Sequence, residues 1–291
     1  MRKVRERIIE AGMFVCAVFS VAITAGIVWV LVYESWNFFS NVSVIDFLTD
    51  TQWTVLFENP RYGIMPLVTG TLVTSMIALV VALPLGTIIA IYLSEYANST
   101  VREILKPILE LLSAVPTVVF GYFALLFITP MLQSILPELP GFNMLSAGIV
   151  IGIMIVPYIS SLSEDAMKAV PVTIREGSYA MGATRVQTAL RVLIPAAFSG
   201  IASAYVLGFS RAVGETMVVA LAAGTQPNLT LNPMEGAATI TAYIVQVSLG
   251  DLPHGSVAYQ SIFAAGLTLM VMTLVFNIGG YFLRKRFREI Y

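Results

Sequence analysis

Apolar residues in this chain neither alternate with polar ones nor keep to one helical face; they run on without interruption. Residues 11–33, 62–94, 111–137, 139–163 and 252–283 contain no Asp, Glu, Lys or Arg, and a sixth run, 195–223, is broken only by Arg211 and Glu215. Each exceeds the ~20 residues a helix needs to cross a hydrocarbon core about 30 Å thick, and each is too long for a barrel strand. The pattern predicts an all-α membrane protein with six transmembrane helices: 8–33, 66–93, 107–131, 144–167, 195–223 and 259–283. Between them lie an outer segment at 34–65, an inner loop at 94–106 and a second inner loop at 168–195. One transmembrane domain over 1–291 is expected.

Cations set the orientation. With both termini cytoplasmic, the inner segments hold Arg2, Lys3, Arg5, Arg7, Arg102, Lys106, Lys168, Arg175, Arg185, Arg191, Arg284, Lys285, Arg286 and Arg288. The outer segments hold Arg61 alone, and Arg211 lies within a span. This is the bias that retains basic loops on the cytoplasmic side. A net charge of −1 conceals it, while 11% charged residues and a mean hydropathy of +0.85 exclude a soluble domain. The basic start and first apolar run resemble a signal peptide, but the run is longer than a signal core and no small-x-small site closes it, so an uncleaved anchor is expected. Cys16, alone in that span, offers no disulfide and is expected to be a small buried apolar residue. The outer aromatics Trp36, Phe38, Phe39, Trp53 and Phe57 suit a membrane interface.

Pro84, Pro116 and Pro157 fall inside the second, third and fourth spans, where each removes a backbone donor; they are candidates for kinks and for gating. Gly148 and Gly152 form a GxxxG that permits close helix contact.

Two clusters carry chemistry. In the second inner loop, Pro171 is placed to open a short helix that Gly182 ends, and Thr184 with Gln187 forms a capping box for a second one. Val186, Ala189, Leu190 and Leu193 then fall on one apolar face, giving a helix–glycine–helix elbow suited to a partner. In the fifth span, Arg211 and Glu215 stand one turn apart, followed by Thr216. Charges within a span cost several kcal/mol unless they face a protein interior or water. The pair reads either as an ion pair stitching helices or as a site where Arg211 offers planar donors to an oxyanion and Glu215 moderates its grip. Gly200, Ala204 and Gly208 continue a small-residue stripe along which backbone or solute can approach.

The loop residues Glu176-Gly177-Ser178, then Gly182, then Val192-Leu193-Ile194-Pro195 resemble the "EAA" coupling loop of ABC-importer permeases, with Gly177 and Ser178 standing for two alanines. Further stretches, 70–75, 92–96, 112–121, 155–158 and 211–217, resemble motifs of the phosphate-specific ABC importer, nearer its C-type permease than its A-type. That resemblance implies a type I importer permease fold in a prokaryotic inner membrane. It implies an A-type permease partner, two ATP-binding subunits and an extracytoplasmic phosphate-binding protein. It also implies that Glu176, Gly177, Ser178, Gly182 and Pro195 couple to the ATPase, while Arg211, Glu215 and Thr216 line the pathway.

The chain has no GxxxxGK[ST] loop, so ATP hydrolysis is assigned to partners, with no catalytic residue, cofactor or metal in this subunit. His254, the one histidine, reads as a surface turn residue. Glu164 and Asp165 point to different helix faces and form no acid/base pair; Glu95, Lys106 and Glu110 read as solvated helix ends or an inner vestibule. The outer acids Glu34, Asp46, Asp50, Glu58, Glu138, Glu235 and Asp251 outnumber Arg61 and repel a free anion, which favours delivery by a binding protein. A permease for molybdate or sulfate shares the loop. An ion-gradient carrier is the alternative from another class; it needs no docking elbow.

Overall fold

The computed structural model describes residues 2–55, 57, 59–250, 252–253 and 255–286. Glu58, Asp251, His254 and Arg288 lie outside the described residues. Among those described, the regular structure is helical, with one isolated bridge, Trp53 to Tyr62.

Four helices are long and apolar enough to cross a membrane, and two bent pairs bring the number to six. The chain opens with α1 (Arg2–Phe39) and a short α2 (Val44–Thr49). Next come α3 (Met65–Ile91), which ends in a π turn at Tyr92–Tyr96, and α4 (Ser99–Ser113). α5 (Thr117–Phe123) continues through a π turn into α6 (Thr129–Gln133), and α7 (Met144–Lys168) follows. After three short inner helices, α8 (Val172–Ala180), α9 (Arg185–Thr188) and α10 (Ile194–Ala196), come α11 (Phe198–Val213) and α12 (Met217–Ala222). α13 (Ile240–Ser248) and α14 (Val257–Arg286) complete the order.

The centre of the fold is α3 against α7, and glycine makes the approach possible. A Cβ at Gly148 would stand 2.6 Å from Ile77 Cβ, and one at Gly152 2.7 Å from Val81 Cβ. Without a water-driven hydrophobic force between helices in lipid, such close backbone contact is a main source of association. The hydroxyls of Thr71, Thr74 and Ser75 donate to their own preceding turn at 2.7–2.8 Å, so polar side chains are buried there without loss. The stripe Gly200, Ala204 and Gly208 has the same use: Gly200 meets Ala166 and Gly208 meets Ile159, both on α7. Against α7 the stripe is a helix seam, the close backbone approach that its small residues allow.

Outside, Phe38, Phe47, Trp53, Tyr62 and Tyr243 form edge-to-face contacts at 4.9–6.2 Å, burying Phe38, Phe47 and Trp53. Of the expected interface aromatics, only Trp36 and Phe57 stay exposed; the rest pack on one another.

Several boundaries differ from those the apolar runs predict. The first helix extends to Phe39, and Cys16 on it is exposed rather than buried. The expected loop 94–106 is mostly helix: Asn98 accepts from the Val101 amide at 2.8 Å and starts α4. α4 then meets α5–α6 at 85°, because Pro116 has no amide hydrogen and disfavours helical backbone at Val115. Pro84 and Pro157 do not break their helices, which continue through both. The fifth span is also broken, between α11 and α12, and α13 was not foreseen.

Candidate functional site: the inner elbow and the broken fifth span

The elbow forms as its local sequence dictates. Pro171 precedes α8 as its cap, and Gly182, at φ +83°, supplies the left-handed turn that ends it. At α9, the Gln187 amide donates to Thr184 Oγ1 at 3.3 Å and the Thr184 amide donates to Gln187 Oε1 at 2.9 Å, completing the capping box. Ser178 Oγ and Thr188 Oγ1 lie 2.9 Å apart and tie the two helices together. Glu176 and Gly177 are exposed, and nothing lies within 4 Å of a Cβ built on Gly177. The apolar face is split. Ala189 and Leu193 are buried in the body, whereas Val186 and Leu190 face out with Met181 at the tip, 88% exposed. The turn 189–193 is a π turn that leads into Pro195, itself exposed.

What sequence reasoning missed is how the elbow is held. Glu95, at the π turn ending α3, has a side chain only 2% exposed. Arg175 Nε lies 3.1 Å from its Oε1, in ion-pair range but off hydrogen-bond alignment. Tyr179 donates to Glu95 Oε2 at 3.0 Å, and Arg185 donates to the Glu95 carbonyl at 3.3 Å. Burial, then the bond to Glu95, raises the Tyr179 phenol above its ordinary value, so it remains a protonated donor at neutral pH. The visible clue was Tyr179 four residues after Arg175, which places both on one face of α8. Glu95→Gln is expected to speed amide hydrogen exchange across 172–180 about tenfold or more, since charged hydrogen bonds contribute about 1.5–3 kcal/mol. Unchanged exchange would mean that other contacts hold α8.

A second buried carboxylate fastens α4 to α7. Glu164, 0% exposed, accepts from Lys106 Nζ at 3.0 Å, lies 3.5 Å from Arg102 Nε and touches Lys168. Asp165 takes Lys106 as well, at 2.8 Å. Glu95 and Lys106 are therefore not solvated helix ends, whereas Glu110 is exposed as expected.

The fifth span corrects the ion pair. α11 ends at Gly214, so Arg211 and Glu215 do not share a continuous helix and do not pair. Glu215 Oε1 instead accepts from the Met217 and Val218 amides at 3.1 and 3.3 Å, capping α12, and its carbonyl accepts from Thr241 at 2.6 Å. Its carboxylate is thus satisfied by backbone. Thr216 donates to the Gly214 carbonyl at 3.2 Å. Arg211 is exposed, its guanidinium 5.7 Å from the centre of the Tyr158 ring. Among the described residues no carboxylate lies in ion-pair range of it. The break therefore presents an unneutralised planar cation at the inner end of α12. Beside it, α5 leans on α12 so closely that a Cβ at Gly121 would stand 2.7 Å from Leu221.

The arrangement has known relatives. The family described as "Binding-protein-dependent transport system inner membrane component" matches residues 82–289. The "Probable ABC transporter permease protein YqgH" of Bacillus subtilis (strain 168) is 36% identical over 276 residues, covering 94% of this chain and 88% of that protein. The "Phosphate transport system permease protein PstC" of Mesorhizobium japonicum is 31% identical over 303 residues, covering 96% and 90%. A solved bacterial ABC transporter involved in the import of the acidic polysaccharide alginate superposes with a TM-score of 0.62 at 18% identity, over 92% of this chain and 95% of that one, and shares the fold. This chain belongs to the inner-membrane permease family of binding-protein-dependent ABC transport systems, non-catalytic subunits that span the membrane for partners that hydrolyse ATP and bind the solute.

Proposed function

We propose that the chain is the C-type permease subunit of an ATP-driven importer of inorganic phosphate. It pairs with an A-type permease, two ATP-binding subunits and an extracytoplasmic phosphate-binding protein. The observation that carries the solute class is Arg211: a cation at a helix break within a span, with its donor fork open and, among the described residues, no carboxylate to neutralise it. A planar guanidinium matches the oxygen spacing of a phosphoryl oxyanion. The likeness to the Mesorhizobium permease, named for phosphate transport, favours phosphate among oxyanions.

In this reading Glu215 fixes the break rather than moderating Arg211, and Thr216 stays beside it as a pathway candidate. Pro116, at the 85° bend beside α12, is the hinge candidate, whereas Pro84 and Pro157 lie in continuous helices. The Glu176–Gly177–Ser178 stretch, Gly182 and Pro195 form the surface on which an ATPase subunit acts. ATP binding can shift the permease between inward and outward openings only through a contact that differs between the two. The exposed tip at Met181 is placed for such a contact. Outside, Arg61 is already paired with Asp50 at 3.6 Å, so the outer face offers little to a free anion and suits delivery by a carrier protein.

Uptake of radiolabelled phosphate into vesicles holding the four membrane-bound subunits, with binding protein outside and ATP inside, tests the proposal. Uptake is expected to need ATP and to resist competition by equimolar sulfate or molybdate. Displacement by sulfate or molybdate would reassign the solute, and uptake driven by an ion gradient without ATP would overturn the mechanism.

A further inference from the structure

The groove between α11 and α14 opens at its cytoplasmic end into a cavity of about 430 Å³, walled by Ser199, Gly200 and Ser203 on one side and Tyr281, Arg284 and Lys285 on the other. Among the described residues its lining holds two cations and no carboxylate. Among the described residues, neither Arg284 nor Lys285 is ion-paired. Arg284 is held instead by neutral groups: Nη1 donates to Ser203 Oγ at 3.3 Å, and the guanidinium lies 5.9 Å from the centre of the Tyr281 ring. Ser203 is itself fixed, because its hydroxyl donates to the Ser199 carbonyl at 2.7 Å. Arg284 is thus pre-positioned while most of its five donors remain unused. Ser199 and Gly200 add the first turn of α11, a 16-residue helix whose starting end carries partial positive charge.

The position of the cavity is as telling as its chemistry. Ser203, Leu207 and Arg211 succeed one another at four-residue steps along the open side of α11, with Leu207 and Arg211 exposed. The cavity therefore lies about 12 Å from Arg211 along the helix, toward the cytoplasm. A smaller cleft of about 80 Å³, walled by Val206, Leu207 and Gly280, continues from it between the helices.

We propose that this cavity is a second oxyanion site, binding a phosphoryl group at the cytoplasmic end of the α11–α14 groove. That chemistry reaches it from two sources. One is a phosphate ion that has left Arg211; the other is the headgroup of an anionic phospholipid of the inner leaflet, with its glycerol side in the smaller cleft. The site takes its orientation from the proposed function, but it uses none of the same side chains, so the two ideas fail separately.

The test uses the intact transporter in nanodiscs, without nucleotide or binding protein. Inorganic phosphate binding is measured in discs of neutral phosphatidylcholine. Retention of phosphatidylglycerol is measured by native mass spectrometry from mixed discs. Arg284→Gln is expected to weaken one of the two by about tenfold or more, equivalent to the loss of a charged contact of about 1.4 kcal/mol, with Arg284→Lys intermediate. A loss confined to phosphate identifies a transit site, and a loss confined to phosphatidylglycerol identifies a lipid site. Lys285→Gln supplies the same comparison if Arg284→Gln does not assemble. Unchanged binding of both ligands in assembled variants would overturn the proposal. If Arg211→Gln removed all phosphate binding and Arg284→Gln none of either ligand, the Arg211 reading would stand and this one would fall.

Discussion

Arg211→Gln is expected to lower ATP-driven phosphate uptake by about 100-fold while the transporter still assembles. The size follows from the loss of two charge-assisted hydrogen bonds in a low-dielectric pathway, about 1.5 kcal/mol each at the lower end, where every 1.4 kcal/mol is tenfold. Assembly survives because, among the described residues, no carboxylate depends on Arg211. Glu215 is satisfied by the Met217 and Val218 amides, so the substitution strands no buried charge. The contact with Tyr158 is lost, at a cost of about 0.5–2 kcal/mol. Arg211→Lys is expected to fail nearly as badly, since it keeps the charge but loses the planar fork. Uptake into vesicles, paired with gel filtration of the assembled complex, reads both halves. Normal transport by either variant would reduce Arg211 to a structural role.

The opposite outcome is expected at Glu164. Its carboxylate is fully buried with Arg102, Lys106 and Lys168 around it, so Glu164→Gln leaves three cations facing one another across the α4–α7 contact. Removing one partner of a buried pair costs about 3–5 kcal/mol. The three cations are about a third exposed and partly screened, which places the loss near 3 kcal/mol. Asp165 retains Lys106 but lies on the exposed side and cannot replace the buried acceptor. A lowered thermal midpoint in detergent and poor recovery of the complex are the expected results. A midpoint equal to that of the wild type would show that α4 is held by its apolar face instead.

The comparison of the two sites shows what the amino-acid order reveals. Spans are legible because a membrane demands long apolar runs, and the Thr184–Gln187 cap is legible because its partners are three residues apart. Pro116 was legible as a kink candidate, though not as the one of three prolines that breaks its span; the break at Gly214 was hidden, since apolar composition continues across it and only backbone geometry changes there. For the same reason Arg211 and Glu215 looked like a one-turn pair: the four-residue spacing presumes a helix that Gly214 ends. Glu95 was misread and the fastening role of Glu164 was missed because their partners, Arg175 and Tyr179 for one and Arg102 and Lys106 for the other, stand 58 to 84 residues away. A carboxylate with a lysine four residues on, as Glu164 has in Lys168, was the one local hint. The stripe of small residues on α11 was seen, but nothing in the sequence says which helix covers it.

In the proposed importer, energy enters through the elbow formed by α8, Gly182 and α9. The most direct measurement places a cysteine at Met181, the exposed tip, in a Cys16→Ser background, and cross-links the assembled transporter in native membranes. A covalent product with the ATP-binding subunit is expected, formed in high yield, and its formation stops uptake. If Met181→Cys never captured that subunit in an assembly that transports phosphate, or if the captured complex transported at the normal rate, the coupling assigned to this elbow would be contradicted.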